Sequence, residues 1–440
     1  MLPTFGTQAL PPAPLLRMED EMTTNRIRRT SHRGGLRTIV TTGVLGLAAS
    51  VALAGCSPVD TSNSDGGDDT FKVGVLASIT GPLAPYGPAL ERGMEVGVEL
   101  INANGGINGQ QVEYVVGDTQ SDPRSATTQA RRMLTQEDVD VLIGTTSSAS
   151  TLAVIPLAEA AGIPFIYPAE GESKTCDSSG EAALKYVFGA GVTPEQKMEA
   201  FVPYLLENIG DSVYFIGSDY VFPHFVNDLT AEMVVDGGGT VVGTDYAPLG
   251  TTDFSAYISR IDQAGPEVIF ISVVGADGVA LVNQLNEFGL ADRVELTGIP
   301  TFAAEALPGF ASEAQGVFTT DPYWEGLDNA VNEEFVEAYR AKYSAEDGPV
   351  SPMAAQEAYG TLLLLQAAAE KAGSADGEAL AEALVGTSVE SPGGQITIGD
   401  NHIVEMPVQL IQVDGDGYTL VESLGTIAHA GFSGCVPAGN

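Results

Sequence analysis

Basic side chains are scarce in this chain: 19 Lys and Arg stand against 58 Asp and Glu over 440 residues, a formal net charge of −39. Phosphate recognition needs a basic footprint, so a nucleic-acid partner is excluded. Histidine is also rare. His32, His224, His402 and His429 share no metal-ligand spacing, so neither a metal nor another cofactor is expected. The chain lacks a Gly-x-Ser-x-Gly elbow, a phosphate-binding Walker loop and a dinucleotide fingerprint. No catalytic residue is therefore expected, and the reading is of a protein that is not an enzyme. An amidohydrolase built on Asp219 and Glu170 is the enzyme alternative, although binding proteins use such carboxylates without turnover. Past the N-terminal 55 residues no apolar run is long enough for a membrane span.

What is present begins with an address. Arg26, Arg28, Arg29, Arg33 and Arg37 form a basic stretch, residues 38–54 are uncharged and apolar, and Leu53-Ala54-Gly55-Cys56 closes the run. This order reads as a secretory signal over residues 1–55. Its Leu-Ala-Gly-Cys ending resembles the bacterial lipobox. That implies lipidation of Cys56 and anchoring on the outer face of the cell membrane; a retained signal anchor is the alternative. Residues 56–70, rich in Ser, Asp and Gly, cannot bury enough surface to order themselves and read as a tether. Six of the basic and three of the acidic residues precede Cys56, so the rest carries 13 against 55, a net −42. Such acidity speaks to solubility or a salty habitat rather than to fold. Cys176 and Cys435 remain in an oxidising compartment, where a bridge is expected and two buried thiols are the alternative. Closing so long a loop would stabilise by up to ~5 kcal/mol in the chain-entropy description.

From residue 71 the chain repeats strand, turn and helix. Strands are expected at 72–79, 112–116, 139–143 and 164–167. Between them lie a helix with Leu90, Met94, Gly97, Val98 and Ile101 on one face and helices at 125–134 and 152–161. The series restarts with helices at 194–208, 225–234 and 279–288 around strands at 213–216 and 268–274. Helices at 332–343 and 354–372 follow, then β segments at 395–398, 408–413 and 418–421. Short strands without alternation, separated by amphipathic helices, mean parallel sheets covered on both faces. Two such series predict an α/β protein of two doubly wound parallel-sheet lobes.

Several motifs sharpen this. They are Gly74-Val75-Leu76 with Ser78-Ile79-Thr80-Gly81-Pro82, residues 101–109 (INANGGING), and Asp118 with Ser121-Asp122-Pro123. With them, residues 71–421 resemble the type I periplasmic substrate-binding proteins of ABC transporters, the branched-chain amino acid, amide and urea group. Residues 215–223 (FIGSDYVFP) and 394–402 (GQITIGDNH) look more like the urea and short-amide branch. The resemblance implies a monomer that closes on a small polar solute and docks on an ABC permease. It also implies a three-crossing hinge, placed near Gly191, Thr320 and Gly393. Lobe 1 is then 71–191 plus 321–393, and lobe 2 is 192–320 plus 394–440.

Ligands of open parallel sheets sit outside the carboxyl ends of the strands. The strand at 139–143 leads into Thr146, Ser147 and Ser148 and a helix start, where free N–H groups and the positive helix end favour a carboxylate or carbonyl. A plain N-cap is the alternative. Ser148 aligns with the family's ligand-contacting serine. Tyr167 is read either as a stacking platform or as a core tyrosine. Glu170 stands where amino-acid binders place a threonine, and would accept N–H bonds from urea or an amide. Asp219 and Tyr220, then Gly275 and Asp277, follow strands of the second lobe. Tyr323 and Trp324, the single tryptophan, lie near the second crossing. His224 stands where the amide branch would have arginine. Tyr86 resembles a ligand-packing tyrosine of the amino-acid binders, for which Asp277 would pair with the α-ammonium. The expected solute is urea or a short amide, with a branched-chain amino acid as the alternative.

Overall fold

The structure is a computed structural model that describes residues 70–167, 184–309, 312–343, 353–415 and 417–427. Cys56, Glu170, Cys176 and Cys435 lie outside the described residues.

The first sheet is built on β1 (Thr70–Ala77), with β2 (Gln111–Asp118) on one side. On its other side come β3 (Val141–Gly144), β4 (Phe165–Tyr167) and β5 (Val187–Gly189). All pairings are parallel, in the order β2-β1-β3-β4-β5. The second sheet repeats that order with β6 (Ser212–Ser218), β7 (Thr240–Ala247), β8 (Val268–Ser272), β9 (Glu295–Thr297) and β10 (Phe318–Asp321), as β7-β6-β8-β9-β10. Val73, Val75, Ile269 and Ile271 are fully buried, as sheets covered on both faces require.

Helices supply the cover. In the first lobe, α1 (Gly87–Ala103), α2 (Pro123–Arg132) and α3 (Ser148–Ala161) alternate with the strands. The Asp122 carboxylate caps α2, accepting from the Arg124 and Ser125 N–H groups at 2.9 Å. In the second lobe stand α4 (Pro194–Asn208), α5 (Val221–Asp236), α6 (Ser255–Ala264) and α7 (Gly275–Glu287). The chain then returns through α8 (Ala330–Lys342), α9 (Met353–Ala372) and α10 (Gly377–Leu384). Phe335, Tyr359 and Leu362 put α8 and α9 in the first lobe's core with Leu90 and Met94 of α1. A Cβ at Gly93 would fall 2.2 Å from the Ala355 carbonyl oxygen, so glycine there lets α1 and α9 meet closely. Among the described residues no helix is long and apolar enough to cross a membrane.

The last four strands, β11 (Ser388–Ser391), β12 (Gly394–Ile398), β13 (Val404–Asp414) and β14 (Gly417–Ile427), are antiparallel neighbours, and β13 lies beside β10. Ile396 and Ile398 pack in the first lobe's core, together with Val404, Met406 and Val408. Leu410 and Val413 belong to the second lobe's clusters. The third crossing therefore runs inside β13 rather than at Gly393, because the hairpin after Gly393 buries its apolar face under α9. Gln196 ties crossings together. It completes a capping box with Thr193, and its Nε2 donates to the Val404 and Ile427 carbonyls at 3.0 and 2.8 Å.

Candidate functional site

A cleft partly open to solvent lies between the lobes. The first lobe lines it with Leu83, Tyr86 and Leu90 after β1, with Thr146, Ser147 and Ser148 after β3, and with Met353, Ala354 and Glu357 of α9. From the second lobe come Tyr220 and Phe222 after β6, Val274 after β8, and Pro300, Ala303 and Glu305 after β9. Every one of these strands contributes its carboxyl end, the usual ligand position in such sheets.

The wall after β3 is shaped by Thr145. Its hydroxyl donates to the Ser147 carbonyl at 2.8 Å and accepts from the Ser147 N–H at 3.1 Å. Thr146 Oγ1 accepts from the Ser78 N–H at 3.3 Å. Ser147 makes no side-chain cap, and the first N–H groups of any helix lack intrahelical acceptors. Ser148 is 4 % exposed, and its Oγ has no hydrogen-bond partner among the described residues. A buried hydroxyl at the positive end of a helix suits an electron-rich ligand group.

The rest of the lining is different in kind. Leu83, Leu90, Phe222, Val274 and Met353 form apolar walls, while Glu305 and Glu357 bring carboxylates, and among the described residues no Lys or Arg lines the space. The buried Lys197 ammonium donates to Met353 Sδ at 3.7 Å. Near Glu305, the Tyr418 hydroxyl donates to the Phe302 carbonyl at 2.5 Å. Burial pushes its pKa well up, aided by the charges of Asp321 and Glu305. Among the described residues no group of His, Cys, Asp and Glu is arranged to hold a metal ion.

The structure gathers Tyr86, Thr146, Ser147, Ser148 and Tyr220 on the cavity. Gly275 follows Val274, and its N–H donates to Tyr86 Oη at 3.2 Å. Four other expected residues do not line the space. Asp219 is exposed, with Oδ1 2.9 Å from His224 Nε2, and the His224 ring stacks on Tyr246 at 3.6 Å. Asp277 turns back to its own lobe and accepts from the Gly250 N–H at 2.6 Å, while burial raises its carboxyl pKa. Tyr323 is buried and donates to Asn332 Oδ1 at 2.7 Å. Tyr167 packs with Leu76, Leu142 and Val187 in the core beneath α2 and α3. Trp324 donates its Nε1–H to the Tyr418 carbonyl at 3.0 Å. Sequence reasoning missed Glu305, Glu357, Met353 and Phe222. Glu357 carried a signal: a carboxylate inside the apolar run of α9 is out of place unless it has a task.

Two parallel-sheet lobes around a shared cavity define a solute-binding architecture. A family model described as "Periplasmic binding protein" matches residues 70–418, and the chain belongs to that family. The leucine-, isoleucine-, valine-, threonine- and alanine-binding protein of Pseudomonas aeruginosa is 27 % identical over 330 residues, covering 74 % of this chain and 85 % of its own. A Leu/Ile/Val-binding protein homolog of Brucella melitensis is 27 % identical over 339 residues, covering 76 % and 89 %. Among solved structures, a solute-binding protein of an ABC transporter from Rhodopseudomonas palustris, in complex with 3,4-dihydroxybenzoic acid, matches with a TM-score of 0.74. It is 25 % identical and covers 82 % of this chain and 99 % of its own. A leucine-binding protein from Thermotoga maritima shares the fold with a TM-score of 0.70 at 22 % identity, covering 81 % and 99 %.

Proposed function

We propose that this chain captures a free amino acid with an apolar side chain, of the branched-chain class, and delivers it to an ABC permease. One observation carries the reading: a single cavity combines a helix N-terminus with an unpartnered buried serine, two carboxylates and an apolar wall. A zwitterion with a hydrocarbon side chain matches all three. Its carboxylate meets Ser148 and the start of α3, its ammonium meets Glu305 or Glu357, and its side chain fills the space by Leu83, Leu90 and Phe222. Urea or a short amide would leave that apolar wall unfilled, so the amide branch gives way. The amino-acid binders among the relatives support the same choice.

Tyr86, Tyr220 and Phe222 favour a second reading, an aromatic carboxylate, in line with the dihydroxybenzoate complex. Glu305 and Glu357 would then face a ligand of their own sign of charge. The protein is read as a binder, not an enzyme. It works by closing the lobes about crossings near residues 190–193, 322–329 and 408–410, with binding drawing the population toward the closed form. Export, lipidation at Cys56 and a monomeric state belong to the same proposal.

Calorimetric titration of the chain from Ser57 with leucine, urea, acetamide and 3,4-dihydroxybenzoate tests it. Saturable heat with leucine, and none with urea or acetamide, is expected. Heat with urea or acetamide alone would reinstate the amide branch, and heat with dihydroxybenzoate alone would establish the second reading.

A further inference from the structure

Beside the cavity the two lobes touch directly. Gly275, buried at the start of α7, donates its N–H to Tyr86 Oη of the opposite lobe at 3.2 Å. Its φ is +59°, and a Cβ there would lie 2.4 Å from the Pro82 carbonyl oxygen. Heavy atoms do not approach so closely, so any side chain at position 275 must push the Pro82 loop away. That loop is braced against such movement. Ala84 and Tyr86 donate their N–H groups to the Gly81 and Leu83 carbonyls at 3.1 and 3.0 Å, and the Leu83 N–H donates to Ser121 Oγ at 3.0 Å.

We propose that Gly275 and Tyr86 form an interlobe latch, so that Gly275 is a positioning residue that sets affinity through closure. The proposal rests on the hinge motion described above, not on the identity of the solute. When only the closed form binds tightly, apparent affinity scales with the fraction already closed. A contact made between protein groups raises that fraction before any solute arrives. Separation of the lobes breaks the Tyr86 bond and removes the Pro82 oxygen from Gly275. The left-handed backbone of Gly275, by contrast, is a local feature of α7.

A substitution by alanine therefore has two separable effects. The left-handed strain lowers stability in the open and closed forms alike. The collision with Pro82 acts in the closed form alone. Gly265 isolates the first effect. It has φ +63° in the same lobe, and nothing lies within 4 Å of a Cβ built there.

The test compares the full chain with its Gly275→Ala, Gly265→Ala and Tyr86→Phe variants by X-ray scattering, leucine titration and amide hydrogen exchange. Gly275→Ala is expected to enlarge the radius of gyration without ligand and weaken leucine binding about tenfold or more. Gly265→Ala should leave both unchanged while losing comparable thermal stability. Equal scattering and equal affinity in the two alanine variants would overturn the proposal. Should Gly275→Ala fail to fold, exchange decides. In the unliganded chain, Tyr86→Phe is expected to speed exchange of the Gly275 amide about tenfold, and an unchanged rate would overturn the latch. If the native chain ignores leucine, the proposed solute fails, while scattering and exchange still judge the latch.

Discussion

Replacing Ser148 by alanine should move stability and binding in opposite directions. The Ser148 hydroxyl is 4 % exposed and finds no hydrogen-bond partner among the described residues. A buried hydroxyl left unpaired costs about 1–3 kcal/mol in proteins, so deleting it should raise the unfolding free energy of the unliganded chain by up to that amount. Alanine is also the better residue in a helix, and Ser148 is the first residue of α3. In the proposed complex the same hydroxyl would donate to the solute's carboxylate. A charge-assisted hydrogen bond contributes about 1.5–3 kcal/mol, which corresponds to roughly a 10- to 100-fold loss of leucine affinity in the variant. Urea unfolding of the unliganded protein and calorimetric titration with leucine read the two effects separately. A variant that is less stable without ligand and binds leucine as well as the native chain would refute the reasoning. Such a result would mean that Ser148 is an ordinary helix residue.

Further consequences follow from the same structure. Glu305→Gln should weaken leucine by about tenfold or more by removing the proposed ionic partner of the ammonium, and an undiminished leucine affinity in calorimetric titration would deny Glu305 that role. His402 is buried, stacks on Phe188 at 4.4 Å, and has its pKa held below the ordinary 6.5 chiefly by desolvation. Its neutral form is favoured by folding, so its contribution to stability is complete above about pH 6.5 and is lost as pH falls toward the lowered folded value. His402→Asn keeps the left-handed backbone of φ +63° and should flatten the stability profile between pH 7 and 5, as followed by thermal unfolding. Gln196→Ala removes half of a capping box and two donors at the crossings, and should cost about 1–3 kcal/mol in denaturant unfolding.

Long, strongly patterned elements were legible in the sequence. The helix expected at 194–208 is α4, and the apolar stripe from Leu90 to Ile101 is the buried face of α1. The elements that escaped notice carry little pattern. β5 and β9 have three residues each, too few to display a period. β7 is only partly buried along most of its length, so it lacks the continuous apolar run that marked β6 and β8. At the site, Thr146, Ser147 and Ser148 were readable because a strand, a hydroxyl cluster and a helix start are consecutive in the chain. Tyr167, Asp219 and Asp277 show the limit of that argument. Each follows or ends a strand, yet Tyr167 points into a core, Asp219 to solvent and Asp277 onto the Gly250 loop.

By itself the sequence determined the α/β class, the two-lobe grammar and the helix start that lines the cavity. These depend on neighbours along the chain, through periodicity, turns and backbone geometry. The tertiary structure decided which carboxylates share the cavity, where β13 passes between the cores, and why Gly275 has no side chain. Glu305 and Glu357 are 52 residues apart, and Gly275 is 189 residues from Tyr86. No local preference encodes such meetings, because they arise when two sheets and their covering helices pack and bring the strand ends together.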